Sequence, residues 1–387
     1  MPVGNESIHF LFLTRSLNYG GSQRQLVELL KGLAKRKVPA ALATFYERGS
    51  MRAELEELAA SVHCLNKRSR WDVIGSVISL CGLVRRLQPA VVHGYLGSAN
   101  LLALVCKVVS PRTKVVWGIR ASNMELHRYG WLDRVLYRLE RTFAPCADLI
   151  IANSKAGRDY AVACGFPADR LVIIPNGIDV QRFHPDQDAG REFRALYGID
   201  TTDLLIGSVG RLDPMKGHEN FLRAAFLFEK KKQNVRFICV GEGPERYKKQ
   251  LHRLSLDLGL EKNMIWLDAF HPIERFYNAL DVMTSTSLYG EGFPNVIAEA
   301  MACGISCVAT DVGDSKMIVG DTGRIVHPND REGLVSAWLE LTDAANAVKA
   351  ERKQAARQRV ERLFGLQQLI DTFLDTLEPF VTPGETT

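Results

Sequence analysis

Glu291 and Glu299 stand eight positions apart in the stretch EGFPNVIAEAMACG, on either side of a Gly-Phe-Pro-Asn turn. The pattern predicts a helix over 294–303, with Pro294 at its first position, where a missing N–H costs nothing. Glu299 then shares a face with Asn295, Val296, Ala302 and Cys303, three of which are small or apolar. A carboxylate held there is partly desolvated, with no cation near it in sequence. Such burial is costly unless hydrogen-bond donors replace the lost water. The setting calls for a group bearing hydroxyls or N–H.

Three other stretches have chemical character. In GSVGRLDPMKGHENF, Arg211 and Lys216 flank a proline turn ahead of a helical pattern, so two cations and helix N-terminal amides converge. That is a cradle for a diphosphate, or else a loop with two solvated cations. In SLNYGGSQRQ, Gly20 and Gly21 open a helix, which fits either a plain tight turn or an amide approach to an anion. CVGEGP, with Glu242, is another glycine turn, but it lacks the spacing of a dinucleotide fingerprint. The D-x-D of Asp186, Gln187 and Asp188 sits in polar sequence and reads as a solvated turn. Cys303 and Cys307 have no accompanying histidine and read as core, so no metal site is expected.

Short apolar runs alternate with amphipathic helical patterns along the whole chain. Strands are predicted at 9–13, 40–45, 62–65, 90–93, 114–118, 148–152 and 171–174, then at 204–209, 236–240, 264–267, 282–284, 306–309 and 324–326. Helical patterns include 23–35, 51–60, 73–87 and 132–143. Alternation of this kind specifies parallel sheets covered on both faces, and two series imply two doubly wound domains. The turn-rich stretch PNGIDVQRFHPDQDAG marks the join. We expect an N-terminal Rossmann-like domain over 1–185 and a second over 186–365. Residues 366–387 are expected to form a helix that packs back on the first domain, followed by a tail. The chemical stretches all fall at carboxyl ends of strands, where open α/β sheets bind ligands.

A chain of 387 residues is comfortable for two domains, and 46% hydrophobic with 24% charged residues excludes disorder. The apolar run 101–106 is halted by Lys107, far short of the roughly 20 residues of a membrane span. Asn5 and Glu6 precede a short apolar run, so no secretory signal is expected. Eight scattered cysteines suit reduced, buried thiols in a cytoplasmic protein. Charge is uneven: 25 basic against 16 acidic residues over 1–190, then 24 against 28. The two halves should therefore meet different partners.

Taken together, GG after the first strand, GRLDPMKG, VGEGP and EGFPNVIAEAMACGISCVATDVGD resemble family 4 of the nucleotide-sugar glycosyltransferases. The likeness runs from the first glycine loop to DTGRIVHPND, and Glu291 to Glu299 (E-x7-E) is its most specific mark. It implies an α/β fold of the GT-B type, two Rossmann-like domains facing a central cleft. It also implies transfer of a hexose-type sugar from a nucleoside diphosphate sugar, UDP-linked by family frequency, with retention and without a metal or other cofactor. By resemblance, Glu299 holds ribose hydroxyls and Glu291 contacts the transferred sugar. Gly292, Phe293, Pro294, Asn295 and Val296 lie near sugar or phosphates, and Glu242 joins the donor site. Arg211 and Lys216 neutralise the diphosphate, which Gly20 and Gly21 face. His93 ends a strand where relatives often carry a histidine; Tyr95 replaces a second one, so His93 reads as either catalytic or core. Tyr95, Arg120, Asn123 and Ser154 are acceptor-side candidates.

Arg134, Arg138 and Arg141 form one basic stripe on the pattern WLDRVLYRLERTF, near Trp131. Lys31, Lys35, Arg36 and Lys37 add charge on 23–37. This suits either a seat on an anionic membrane surface or a solvated face laced by Asp133 and Glu140. A lipid-linked or glycan acceptor fits the basic half, in polysaccharide biosynthesis, whereas no nucleic-acid module is found. The expectation is a cytoplasmic enzyme, peripheral on the inner face of a membrane. The alternatives are a non-catalytic nucleotide-sugar-binding protein and an epimerase of the same fold.

Overall fold

The computed structural model describes residues 9–18, 20–47, 49–56, 61–69, 71–125 and 130–381. The chain divides into two compact units: residues 1–177 with 366–387, and residues 178–365. The division falls within the turn-rich stretch 175–190, eight residues ahead of the boundary expected after 185. Ile178 and Phe183 belong to the second core, and Ile178 donates its N–H to Phe364. Turn formers mark where a chain bends; burial decides which core claims it.

The first unit holds a seven-stranded parallel sheet in the order β3-β2-β1-β4-β5-β6-β7. Its strands are β1 (Phe10–Thr14), β2 (Ala40–Thr44), β3 (Ser61–Cys64), β4 (Val91–Tyr95), β5 (Lys114–Ile119), β6 (Leu149–Ala152) and β7 (Leu171–Ile173). The central strands are buried along their length, as a sheet covered on both faces requires. Helix Leu366–Val381 joins this unit: Leu369, Ile370, Phe373 and Leu377 pack with Phe10, Phe12 and helix Gly21–Lys35. A Cβ at Gly32 would meet Ile370 Cδ1 at 2.1 Å, so glycine there lets the two helices touch. The predicted helix 51–60 falls partly outside the described residues; its described part is Arg52–Glu56.

The second unit holds β8 (Leu204–Val209), β9 (Val235–Val240), β10 (Met264–Leu267), β11 (Val282–Ser285), β12 (Ser306–Thr310) and β13 (Arg324–Val326), all parallel, in the order β10-β9-β8-β11-β12-β13. Sequence order runs outward from β8 on one side, through β9 and β10. It resumes on the other side with β11. The loops after β8 and β11 therefore diverge and leave a crevice at their carboxyl ends. The sheet places the chemistry of this unit there.

Candidate active site

The loop that leaves β8 carries Arg211 and Lys216. Asp213 caps its short turn Pro214–Lys216 by accepting from the Met215 N–H at 2.9 Å. Gly217 then turns left-handed at φ 66°, and a Cβ there would lie 2.1 Å from the Thr286 carbonyl oxygen. Thr286, just past β11, donates its hydroxyl to the Lys216 and Gly217 carbonyls at 3.0 and 3.1 Å. Loop and strand end are thus locked together, and the lock aims Lys216 at the residues that follow β11.

There Lys216 Nζ donates to Glu291 Oε1 at 2.5 Å, and Ser287 Oγ donates to the same oxygen at 2.6 Å. Glu291 is only 8% exposed. Burial pushes its carboxyl upward, but the charge of Lys216, its hydrogen bond and that of Ser287, and the more distant Arg211 charge outweigh it. The group stays below the usual carboxylate value and ionised. The turn after β12 buttresses the backbone here, with the Asp314 N–H donating to the Gly292 carbonyl at 2.9 Å. Arg211 is exposed beside Asp213, 3.4 Å away, with its charge still felt at Glu291.

The helix runs over Asn295–Ala302, with Pro294 as its N-cap rather than its first residue. No side chain caps this terminus, and its dipole points to the same crevice. The face predicted to surround Glu299 is apolar, and Glu299 is half-buried. The structure supplies the donor the sequence called for: the Tyr277 hydroxyl donates to Glu299 Oε2 at 2.6 Å, from helix Glu274–Ala279. Tyr277 is fully buried, and burial together with the Glu299 charge drives its own pKa far upward, so it remains a donor. Phe293 packs edge-on against Phe364, leaving its backbone for any ligand role. Glu242 is exposed after β9.

The first unit's candidates lie at or just past the corresponding strand ends, except His93, which was expected to end its strand but is the middle residue of β4. Gly20 is the extended N-cap of helix Gly21–Lys35, so the glycine pair does open a helix. His93 is 1% exposed and stacked on Phe373 at 5.9 Å, with Phe12 and Tyr95 around it. Neither ring nitrogen has a partner among the described residues, and burial holds the ring neutral, its pKa well below the ordinary value. This geometry is that of a core histidine. Tyr95 accepts a hydrogen bond from Arg120, whose guanidinium carbon lies 4.3 Å from the ring centroid; Arg120 also donates to Asn176 at 2.7 Å. Ser154 is a buried N-cap, accepting from the Gly157 N–H at 2.9 Å, which accounts for it without a ligand. Asn123 is exposed, with φ 40°. Asp186 of the D-x-D motif is likewise a helix N-cap, bonded to the Ala189 N–H, rather than part of a turn.

Two family models match the chain, Glycosyltransferase Family 4 over residues 19–182 and Glycosyl transferases group 1 over residues 203–344. The chain belongs to the family 4 glycosyltransferases. Among its relatives, EpsF of Bacillus subtilis is 23% identical over 376 residues, 94% of this chain and 95% of that one. The UDP-Gal:alpha-D-GlcNAc-diphosphoundecaprenol alpha-1,3-galactosyltransferase of Escherichia coli is 23% identical over 78% of each chain. Among solved structures, Anabaena HepE in complex with UDP-glucose superposes with a TM-score of 0.85 at 22% identity, over 96% of this chain and all of that one. The fold is GT-B.

Sequence reasoning missed three residues of this candidate site. Ser287 had a signal, the polar run Ser285–Thr286–Ser287 at and just past the end of β11. Tyr277 had none, because it lies 22 residues before its partner. His218 follows Gly217 directly and is buried; burial first, then the Lys216 charge, lowers its pKa to about 4 against the opposing Asp213. It stands neutral behind the cationic loop.

Proposed function

We propose that the protein transfers a hexose from a UDP-sugar to a glycan or lipid-linked acceptor, with retention of anomeric configuration and without a metal ion. The observation that carries this reading is the buried Lys216–Glu291–Ser287 cluster at the β8/β11 crevice, set at the N-terminus of the helix that bears Glu299. As the sugar–phosphate bond breaks, negative charge grows on the diphosphate. Lys216, Arg211 and the helix dipole are already in place to meet it, so little reorganisation is needed. Glu291, held ionised, offers an acceptor to sugar hydroxyls and a negative charge beside a ring that becomes cationic. Glu299, with one oxygen fixed by Tyr277, receives the ribose hydroxyls. Support for the donor comes from HepE, whose complexes hold UDP and UDP-glucose, and from the E. coli relative, named for UDP-Gal and a diphosphoundecaprenol acceptor. The acceptor proposed is accordingly lipid-linked, met at the inner face of a membrane from the cytoplasm. Among the described residues no helix is long and apolar enough to cross a membrane.

Calorimetry with UDP, GDP, ADP and NAD in the presence of EDTA tests the donor site. UDP should bind to the wild type, weakly or not at all to Glu299→Ala, and nearly unchanged to Glu291→Gln, which should instead lose more than tenfold in sugar transfer. UDP affinity indifferent to Glu299, or wild-type turnover by Glu291→Gln, refutes the assignment.

A further inference from the structure

The most apolar exposed ground of the first unit lies far along the chain from any donor residue. Helices Val73–Leu87, Val105–Val109 and Trp131–Phe143 pack on the same face of the seven-stranded sheet, where Leu80, Leu83, Val84, Cys106 and Tyr137 join one core. Their outer sides are not polar. Trp131 (63% exposed), Val135, Leu139 and Phe143 form a ridge at four-residue spacing. Ile74 (77%) and Ile78 project from the first of these helices and Val108 from the short one between.

The charges around this ground are of one sign. Arg134, Arg138 and Arg141 run beside the ridge, all exposed, and Arg85 and Arg86 close helix Val73–Leu87. Among the described residues none of these five enters an ion pair. The lacing expected from Glu140 is absent, because that side chain turns inward and accepts from Asn100 Nδ2 at 2.9 Å, buried against the sheet. That inward bond also fixes the rotation of the helix, so its arginines and ridge face outward. Asp133 is the one acidic residue left on its exposed side. The basic helix Gly21–Lys35 is not part of this ground: it packs on the opposite sheet face, and its Lys31 is paired with Glu54.

We propose that this face, formed by the outer sides of helices Val73–Leu87 and Trp131–Phe143, docks on an anionic lipid surface. Apolar side chains would enter the headgroup boundary while the arginines meet lipid phosphates, the arrangement of an interfacial amphipathic helix. A second copy of the chain is a poorer occupant, since a two-fold pairing through this face sets arginines against arginines. The proposal deepens the peripheral position suggested above, but the surface does not depend on the donor chemistry.

Co-sedimentation of the full chain with phosphatidylcholine vesicles, with and without phosphatidylglycerol, tests it. The wild type should sediment only with the anionic vesicles. Arg134→Gln/Arg138→Gln should bind them roughly thirtyfold more weakly, about fivefold for each charge. Ile74→Ser/Trp131→Ser should still bind at low salt and be released at high salt, where only the apolar part of the attachment survives screening. Absence of wild-type sedimentation, or equal sedimentation of all three proteins, overturns the proposal. So does light scattering that shows a wild-type dimer converted to monomer by the serine substitutions without vesicle binding. UDP calorimetry on the same samples reads the donor site separately, so either assignment can fail alone.

Discussion

Removing the Lys216 ammonium should expose how much the buried pair contributes. In Lys216→Met the methionine keeps most of the aliphatic volume, while Glu291 is left 8% exposed with Ser287 as its remaining bonded donor of those described above. Losing one partner of a buried pair costs about 3–5 kcal/mol, chiefly because the other charge stays behind. The Lys216 side chain retains 22% exposure, so water reaches the pair and the low end, about 3 kcal/mol, is expected. The effect should depend on pH. In the wild type the folded carboxyl titrates below its ordinary value of 4.5, so the pair's contribution is present above that value and fades as pH falls through the folded pKa. In the variant, burial is no longer offset by Lys216, so the folded pKa rises, protonation relieves the strain and the two proteins converge in acid. Urea unfolding at neutral and acid pH, followed by circular dichroism, measures this. Lys216→Met/Glu291→Gln should recover most of the loss, since no buried charge is stranded. A loss below about 1 kcal/mol at neutral pH, in the range of a surface ion pair, would refute the buried-pair reasoning.

His218 gives a second pH dependence. Its folded pKa of about 4 lies below the ordinary 6.5, so the unfolded chain binds the extra proton and stability falls between pH 6.5 and 4, by about 3 kcal/mol in all. His218→Leu should flatten that part of the profile in urea unfolding; superimposable pH slopes would contradict it. Tyr277→Phe removes one hydrogen-bond donor from Glu299, a bond to a charged group with a contribution of about 1.5–3 kcal/mol. If that bond orients the carboxylate for the ribose, UDP affinity should fall about tenfold or more by calorimetry, with no change in the fold; an unchanged Kd would separate Tyr277 from nucleotide binding.

The strands, their double series, and the residues of the cationic loop and of the E-x7-E element were legible in the amino-acid order. All thirteen predicted strands are present, with ends shifted by a residue or two. These features are local: a buried parallel strand is a short apolar run between turn formers, and a helix start is written in the few residues around it. Which of these residues meet depends on the packing of elements far apart in the chain. Lys216 and Glu291 are 75 positions apart and touch because β11 lies beside β8, an order that no local pattern encodes. Glu299 waited on Tyr277 for its donor. His93, expected at the end of its strand and legible as catalytic, lies mid-strand and is covered by Phe373 from a helix at the far end of the chain. Glu140, read as part of an exposed charge lattice, turns inward because Asn100 comes from a neighbouring helix. Periodicity fixes which side of an element is apolar; only packing fixes what stands opposite each side chain, and with it whether a titratable group is solvated, paired or buried alone.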